Sequence, residues 1–182
     1  MSKTKGFIIG STIAAALTGG GFLISGVSEQ QLQATMAKEG FSSKPIIPVK
    51  GDVPTIGPGI TVYPDGTRVK ITDPPITPKQ GLEYLKAHMD QEAQRFNKTL
   101  LNIPISQQEY DLYMDFTYQY GTGTWSNSSM LRHLKQGNYQ QACESLLKYK
   151  YVAKRDCSIR SNNCYGVWTR QKERYDNCMG AQ

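Results

Sequence analysis

Lys38-Glu39-Gly40-Phe41 and, shortly after it, Gly51-Asp52-Val53-Pro54-Thr55-Ile56-Gly57-Pro58-Gly59 decide how this chain folds. The first stretch ends a short amphipathic segment, and Gly40 follows as a residue that can stop a helix. The second stretch is crowded with glycine and proline, which favour turns and irregular strands over helix. We therefore predict a helix over residues 29–38, followed by a small, irregular β region over residues 41–75.

Two carboxylates and a hydroxyl in these stretches form a candidate catalytic set: Glu39, Asp52 and Thr55. Glu39 lies at the helix end, where the helix dipole and any apolar surroundings favour the protonated acid. Asp52 lies in an irregular polar turn that leaves it ionised, and the Thr55 hydroxyl can hold a water. One protonated acid and one carboxylate that activates water suit cleavage of a glycosidic bond. The simpler interpretation of the pair is a surface glutamate and a turn aspartate.

The composition indicates an ordinary globular protein with an excess of basic residues. The chain of 182 residues has room for one domain and an appendage. With 38% hydrophobic and 20% charged residues, it lies outside the range typical of disordered proteins. The net charge of +6 indicates an anionic partner, which nucleic acid, an acidic membrane surface and an anionic cell-wall polymer would all satisfy.

The N-terminus carries a membrane-targeting segment. Residues 6–28 form 23 positions without a charge, enough for a hydrophobic helix that spans a bilayer core of about 30 Å. Lys3 and Lys5 keep the N-terminus in the cytoplasm and place the rest of the chain outside. Several glycines and hydroxyl side chains favour a weak anchor that can leave the bilayer, with a cleaved signal peptide and a permanent anchor as alternatives. We predict a releasable signal-anchor over residues 1–28 and one domain over residues 29–182.

Four cysteines lie late in the chain, separated by 13, 6 and 13 residues: Cys143, Cys157, Cys164 and Cys178. An even number in an exported protein indicates two disulfides rather than a zinc site. Three pairings are open. We favour the nested one, Cys157 with Cys164 and Cys143 with Cys178, because it closes a polar loop and ties together the helices that flank it.

Helices are predicted to follow the β region. Thr77-Pro78-Lys79-Gln80 and Ser106-Gln107-Gln108-Glu109 are capping boxes. Further helices are predicted over residues 128–136 and 138–147 and around residues 168–178, and a hairpin pairs residues 60–63 with 67–71. The predicted fold is α+β and mainly α: a small β-hairpin lobe and a helical lobe that could enclose a cleft, plus the N-terminal hydrophobic helix.

Other polar and aromatic residues have structural explanations. His88 and His133 lack a ligand pattern and are interpreted as exposed helical histidines. The aromatic stripe of Phe116, Tyr118 and Tyr120 is more typical of a core than of a sugar platform. A late basic cluster is usually a solvated face, although it could attract peptidoglycan or lipid head groups: Lys148, Lys150, Lys154, Arg155 and Arg160.

Several motifs occur in the order typical of one family. They are Glu39-Gly40, the run Pro54-Thr-Ile-Gly-Pro-Gly-Ile-Thr61, Tyr113-Met-Asp-Phe-Thr-Tyr-Gln-Tyr-Gly121, Ser128-Ser-Met-Leu-Arg-His-Leu-Lys135 and the late Trp168, Arg170 and Arg174. From about residue 30 to 179, the chain resembles the phage lysozyme family, glycoside hydrolase family 24. With its N-terminal segment, it is most similar to signal-anchor-release endolysins. In the family pattern an aspartate lies nine residues after the glutamate, where this chain has Pro48, and Asp52 is the local substitute.

The resemblance implies a lysozyme-like fold and an endolysin (muramidase) active in host cell lysis. Such an enzyme hydrolyses the β-1,4 bond between N-acetylmuramic acid and N-acetylglucosamine in peptidoglycan, with inversion and with neither metal nor organic cofactor. Glu39 would donate the proton, and Asp52 and Thr55 would activate or position water. The enzyme would be a monomer with no nucleic-acid partner. It would be held inactive in the host inner membrane through residues 6–28, with its C-terminal domain in the periplasm, and then released there.

Two other functions fit parts of the sequence. A noncatalytic peptidoglycan-binding protein on the same fold is one, because the aspartate is shifted from the family position. A membrane-tethered protein whose basic domain binds nucleic acid is the other, although export and disulfides disfavour it.

Overall fold

The computed structural model describes Ile24 and residues 26–182 of the chain. Most of the predicted hydrophobic helix over residues 6–28 therefore lies outside the described residues. None of the helices formed by the described residues is long and apolar enough to cross a membrane.

Seven α-helices and four short strands form the described part of the chain. In sequence order they are α1 (Glu29–Glu39), β1 (Ser42–Ile46), β2 (Thr55–Gly57), α2 (Pro78–Thr99), α3 (Gln107–Tyr120), α4 (Thr122–Ser126), α5 (Ser129–Lys135), α6 (Tyr139–Ser145), β3 (Tyr151–Val152), β4 (Arg155–Asp156) and α7 (Tyr165–Gly180). Short 3₁₀ turns occupy Leu146–Lys148 and Arg160–Asn162. The fold is mainly helical with little sheet, as predicted.

The helix starts follow the capping signals. The Thr77 hydroxyl accepts a hydrogen bond from the Gln80 N–H at 3.2 Å, and Gln80 Oε1 accepts one from the Thr77 N–H at 2.9 Å. The reciprocal pair between Ser106 and Glu109 is also present. These bonds satisfy amide groups that a helix leaves open at its start. Both predicted capping boxes are confirmed.

The chain forms two compact units, and residues 26–94 make the first of them. In this unit β1 and β2 pair antiparallel, with Ser42 opposite Gly57, Ile46 opposite Thr55 and a register shift between the two pairs. A small apolar cluster lies beside them, with Tyr63 and Tyr84 packed at its edge: Ile56, Ile60, Val69 and Ile76.

Gly57 marks a close approach inside the first unit. Its φ of +61° is in the left-handed region, and a Cβ there would lie 3.1 Å from Ile76 Cδ1 and 3.6 Å from the Gly81 Cα. A Cβ on Gly81 would lie 2.7 Å from the Phe41 ring. Glycine at positions 57 and 81 therefore lets β2 lie against α2.

The predicted hairpin of residues 60–63 with 67–71 forms only in part. Val62 and Arg68 make an antiparallel bridge, and the Asp65 carboxylate accepts hydrogen bonds from the Thr67 N–H and hydroxyl. The second arm then leaves the pairing, because the Lys70 N–H donates to the Asp73 carboxylate at 2.8 Å. Side-chain acceptors thus compete with the strand ladder. The named two-stranded sheet is formed instead by β1 and β2.

The second unit comprises Ile24 and residues 95–182 among those described. Its core is aromatic: Phe96 and Tyr113 pack on Trp125 with ring centroids 5.0 and 5.1 Å apart. The Trp125 indole N–H donates to the Thr99 hydroxyl at 2.8 Å. Phe116 stacks on Tyr120 at 4.7 Å, so these two residues of the predicted stripe pack against each other. Their packing supports the core interpretation over a sugar platform.

Both predicted disulfides are present in the nested arrangement. Cys143 on α6 is bonded to Cys178 on α7, with a Cα–Cα distance of 5.5 Å. Cys157 and Cys164 close the loop before α7, with a Cα–Cα distance of 4.9 Å. The first bond joins two helices, and the second constrains a short exposed segment.

Three details of the structure differ from the prediction. The short α4 begins directly after Gly121 although its sequence is a weak helix former, and the β3–β4 hairpin was not predicted. His88 is exposed as predicted, but His133 is half-buried, so the exposed interpretation is wrong for it. Its position on α5, between the buried residues Leu131 and Leu134, accounts for this burial.

Candidate active site

Glu39 is the last residue of α1. Ser28 caps the start of the helix, because its hydroxyl accepts a hydrogen bond from the Gln31 N–H at 3.2 Å, and the helix buries Leu32 and Thr35. Glu39 lies outside that buried face and is exposed. Gly40 follows with φ of +79° and turns the chain from the helix into the β region. The helix end thus presents a carboxylate to solvent immediately before the sheet.

Asp52 lies in the β1–β2 connection, and Thr55 lies at its end. Thr55 begins β2 and is half-buried, whereas the next residue, Ile56, is fully buried in the apolar cluster. Successive side chains in a strand point to opposite faces, so Thr55 points away from that cluster. Asp52 is exposed in the connection, and its N–H donates to the Val49 carbonyl at 2.9 Å.

The three predicted site residues therefore belong to one unit, at a helix end, in a loop and at a strand start. Among the residues that the structure describes, the carboxylates of Glu39 and Asp52 take part in neither an ion pair nor a hydrogen bond. Exposed carboxylates of this kind are accessible to a ligand. A carboxyl group of this kind can give a proton to a ligand or take one from it.

A pocket of about 530 Å³ borders the end of α1. Its lining is mostly apolar and includes Met36, Gly40 and Phe41 from the helix end, with Pro78 and Leu82 from α2. Glu39 lies between the lining residues Met36 and Gly40 in sequence but does not belong to the lining. The pocket offers apolar contact area next to the helix end that carries the candidate acid.

A second pocket, of about 540 Å³, lies at the irregular hairpin of the same unit. Tyr63 and Tyr84 meet there edge to face at 5.5 Å, and the Tyr63 hydroxyl donates to Asp73 Oδ2 at 3.0 Å. Burial and this hydrogen bond to a carboxylate raise the pKa of Tyr63 to about 12. Neither pocket is lined by Glu39, Asp52 or Thr55. No sequence pattern predicts the Tyr63–Asp73 pair, because a tyrosine and an aspartate in a proline-rich loop are its only signal.

Comparison with known proteins identifies the family. The family model described as Phage lysozyme matches residues 36–173, which include all three candidate site residues. The chain belongs to the phage lysozyme family. Its fold agrees with that assignment: the crystal structure of a P22 lysozyme mutant superimposes with a TM-score of 0.71 at 24% identity, covering 86% of this chain and 99% of that chain.

Two relatives are similar in sequence over most of their own length. The endolysin of Salmonella phage P22 is 31% identical over 102 residues, which cover 56% of this chain and 68% of the relative. The SAR-endolysin of Enterobacteria phage H19B is 30% identical over 137 residues, which cover 66% of this chain and 76% of the relative. This member of the phage lysozyme family is a lysozyme-type hydrolase, a muramidase.

Proposed function

We propose that the protein is an endolysin that hydrolyses the β-1,4 bond between N-acetylmuramic acid and N-acetylglucosamine of peptidoglycan during host cell lysis. The main support is the junction of α1 with the β region: Glu39 ends the helix, and Asp52 and Thr55 follow across the β1–β2 connection, inside the segment that matches the family. The exposed carboxylates of this junction can reach a polymer that lies on the surface.

The residues divide the chemistry as follows. Glu39 gives its proton to the glycosidic oxygen as the bond to the anomeric carbon breaks. Asp52 takes a proton from a water held by the Thr55 hydroxyl, and the water oxygen bonds to the anomeric carbon from the opposite face. The product has the inverted configuration, and proton exchange with solvent restores both carboxyl groups. An inverting pair needs a separation of about 6.5 to 9.5 Å to admit the water.

The localisation is part of the proposal. Residues 6–28 hold the enzyme inactive in the host inner membrane, with the C-terminal domain in the periplasm, until the segment leaves the bilayer. The uncharged segment and its glycine content support this state, as does similarity to a protein named SAR-endolysin. The enzyme acts as a monomer without a cofactor.

The test is release of reducing sugar from purified peptidoglycan by the full-length, oxidised chain. We expect Glu39→Gln to reduce the rate about 10³-fold and Asp52→Asn to reduce it about 10²-fold, within the range typical of general acid and base groups. Glu29→Gln, at the exposed start of the same helix, and Asp176→Asn, at an exposed position on α7, are matched controls that keep the wild-type rate.

Full activity of either variant would reject part of this assignment. Full activity of folded Glu39→Gln would remove Glu39 as the acid, and full activity of Asp52→Asn would remove Asp52 as the base. Binding to peptidoglycan without sugar release by the wild type would indicate the noncatalytic wall-binding function instead.

Proton NMR of the first product tests the stereochemistry, since a retained anomer contradicts inversion. Fractionation of expressing cells before and after the membrane is depolarised tests the release from the membrane.

A further inference from the structure

The segment from residue 150 to residue 160 forms a projecting hairpin that the proposed hydrolysis does not use. β3 and β4 pair antiparallel, with Tyr151 opposite Asp156 and Val152 opposite Arg155, so Ala153 and Lys154 form a two-residue turn. All five residues from 151 to 155 are exposed. We call residues 150–160 the basic hairpin.

The base of the basic hairpin is fixed. The Cys157–Cys164 disulfide closes the loop that follows β4. Lys150 Nζ pairs with Asp156 Oδ2 at 2.7 Å, and Asp156 Oδ1 accepts hydrogen bonds from the Ser158 N–H and hydroxyl. Asn162 Nδ2 donates to the Asp156 carbonyl at 2.7 Å. The exposed tip is therefore attached to a cross-linked base. Because that base is already restrained, binding to a surface would order few additional groups.

The two turn residues have backbone φ values that their residue types rarely adopt. Ala153 and Lys154 have φ of +47° and +65°, the left-handed values that a two-residue hairpin turn requires at both positions. Asparagine and glycine adopt these values most readily. Where asparagine and glycine would fit the turn best, Ala153 and Lys154 place a small apolar group and a cation at the tip.

Cations and apolar side chains alternate over this surface. Lys154, Arg155 and Arg160 are exposed, and the Lys150–Asp156 pair internally neutralises the one acid of the hairpin. Between the cations, Tyr151 is 56% exposed and Ile159 is 52% exposed. The hairpin thus carries a net positive charge around projecting apolar groups.

We propose that the basic hairpin docks onto the surface of a bilayer that contains anionic phospholipid. Apolar and aromatic side chains between lysines and arginines suit the interface, where rings and aliphatic groups enter the head-group region and the cations contact phosphate. The hairpin tip is exposed and lines neither of the two pockets described above, whereas a glycan is usually held in a concave site. These features favour a lipid surface over a wall polymer, and the proposal does not rest on the function proposed above.

The first experiment measures binding of the full-length, oxidised protein to vesicles of phosphatidylcholine, alone or mixed with phosphatidylglycerol. The triple variant Lys154→Gln, Arg155→Gln, Arg160→Gln should bind anionic vesicles about a hundredfold more weakly, since each basic residue near such a surface contributes about a fivefold effect. The control variant Lys44→Gln, Lys79→Gln, Lys98→Gln removes the same charge from exposed positions on β1 and α2 and should bind as the wild type does. Binding to neutral vesicles, to which residues 6–28 contribute, should be equal for all three.

A second readout reports on the hairpin alone. The difference in fluorescence emission between Tyr151→Trp and the wild type should shift to the blue when anionic vesicles are added, and brominated lipid should quench it. Neither effect should occur with neutral vesicles. Equal weakening by the two triple variants would overturn the proposal, because only bulk charge would matter. It would also be overturned if Tyr151→Trp gave no shift, or if the triple variant lost binding to peptidoglycan or DNA while its vesicle binding was unchanged. Sugar release from soluble peptidoglycan fragments should be unaffected by the triple variant, which separates this proposal from the catalytic one.

Discussion

Arg174 of α7 forms a buried ion pair with Asp115 of α3. Its Nε and Nη2 donate to the same carboxylate oxygen, Oδ2, at 2.8 and 2.6 Å, and Nη2 also donates to the Asp115 carbonyl at 3.2 Å. The guanidinium lies 5.9 Å from the centroid of the Phe116 ring, so the cation sits in an aromatic corner of the helical core. The pair fixes α7 against α3 at one position.

Removing one partner of this pair should destabilise the protein strongly. Arg174→Met leaves the Asp115 carboxylate buried without its cation, which typically costs about 3 to 5 kcal/mol. Urea unfolding of the full chain measures this loss. The double variant Arg174→Met, Asp115→Leu should recover much of it, because no unpaired charge is left behind. A cost below about 1 kcal/mol for Arg174→Met would contradict the structural role of the pair.

The two disulfides should contribute unequally to stability. Cys143 and Cys178 are 35 residues apart, whereas Cys157 and Cys164 are 7 apart. Loop-closure entropy then gives about 4 kcal/mol for the first bond and about 2 kcal/mol for the second. Urea unfolding of the double serine variants, Cys143→Ser with Cys178→Ser and Cys157→Ser with Cys164→Ser, compares them. A larger loss for the short loop would show that bonds other than the disulfide hold α6 against α7.

Alkaline pH should weaken the first unit through Tyr63. Its pKa is raised from 10.0 to about 12, mainly by burial and also by the hydrogen bond to Asp73. A pKa raised in the folded state gives stabilisation that is complete below pH 10 and is lost as the pH rises through about 12. Urea unfolding across this window should therefore show a smaller decline in Tyr63→Phe than in the wild type. Tyr84→Phe, which alters the neighbouring ring, is the control: its free energy of unfolding should decline with pH as in the wild type.

Replacement of Gly57 by alanine should lower the stability of the protein. Gly57→Ala places a Cβ 3.1 Å from Ile76 at a φ of +61°, and the left-handed backbone alone costs an L-residue about 1 to 2 kcal/mol. Gly59→Ala has a similar φ of +82° but no atom near its Cβ, so it isolates the backbone cost. Thermal unfolding should show a lower Tm for Gly57→Ala than for Gly59→Ala. Equal values would mean that Ile76 moves aside without cost.

Local signals predicted much of this fold. The capping boxes at Thr77 and Ser106 determined two helix starts, because the chemistry of a cap lies within four residues. The nested disulfides followed from cysteine spacing together with the expected helices. Gly40 predicted a helix end beside Glu39: the predicted helix covers residues 29–38, and α1 ends at Glu39.

Three features that local sequence signals did not predict have separate physical causes, one long-range and two local. Arg174 belongs to a motif that carries the family resemblance, but its partner Asp115 lies 59 residues away and no local pattern pairs them. The Lys70 amide turns to Asp73 rather than to the expected hairpin, which shows that side-chain acceptors can divert a strand pattern. The β3–β4 hairpin escaped prediction because its turn residues, Ala153 and Lys154, are not those that such turns prefer.

The turn of the basic hairpin offers a prediction that separates stability from surface binding. Ala153→Asn with Lys154→Gly supplies the residues that favour positive φ at both positions, and we expect a gain of about 1 kcal/mol, a rise in Tm of about 2 to 4 °C. The variant also loses the cation and the apolar group at the tip, so its binding to anionic vesicles should weaken while its Tm rises. Ala153→Asn alone keeps Lys154 and serves as the control, with a smaller Tm gain and nearly unchanged vesicle binding. A lower Tm for the double variant would mean that the tip residues make contacts that outweigh their backbone strain.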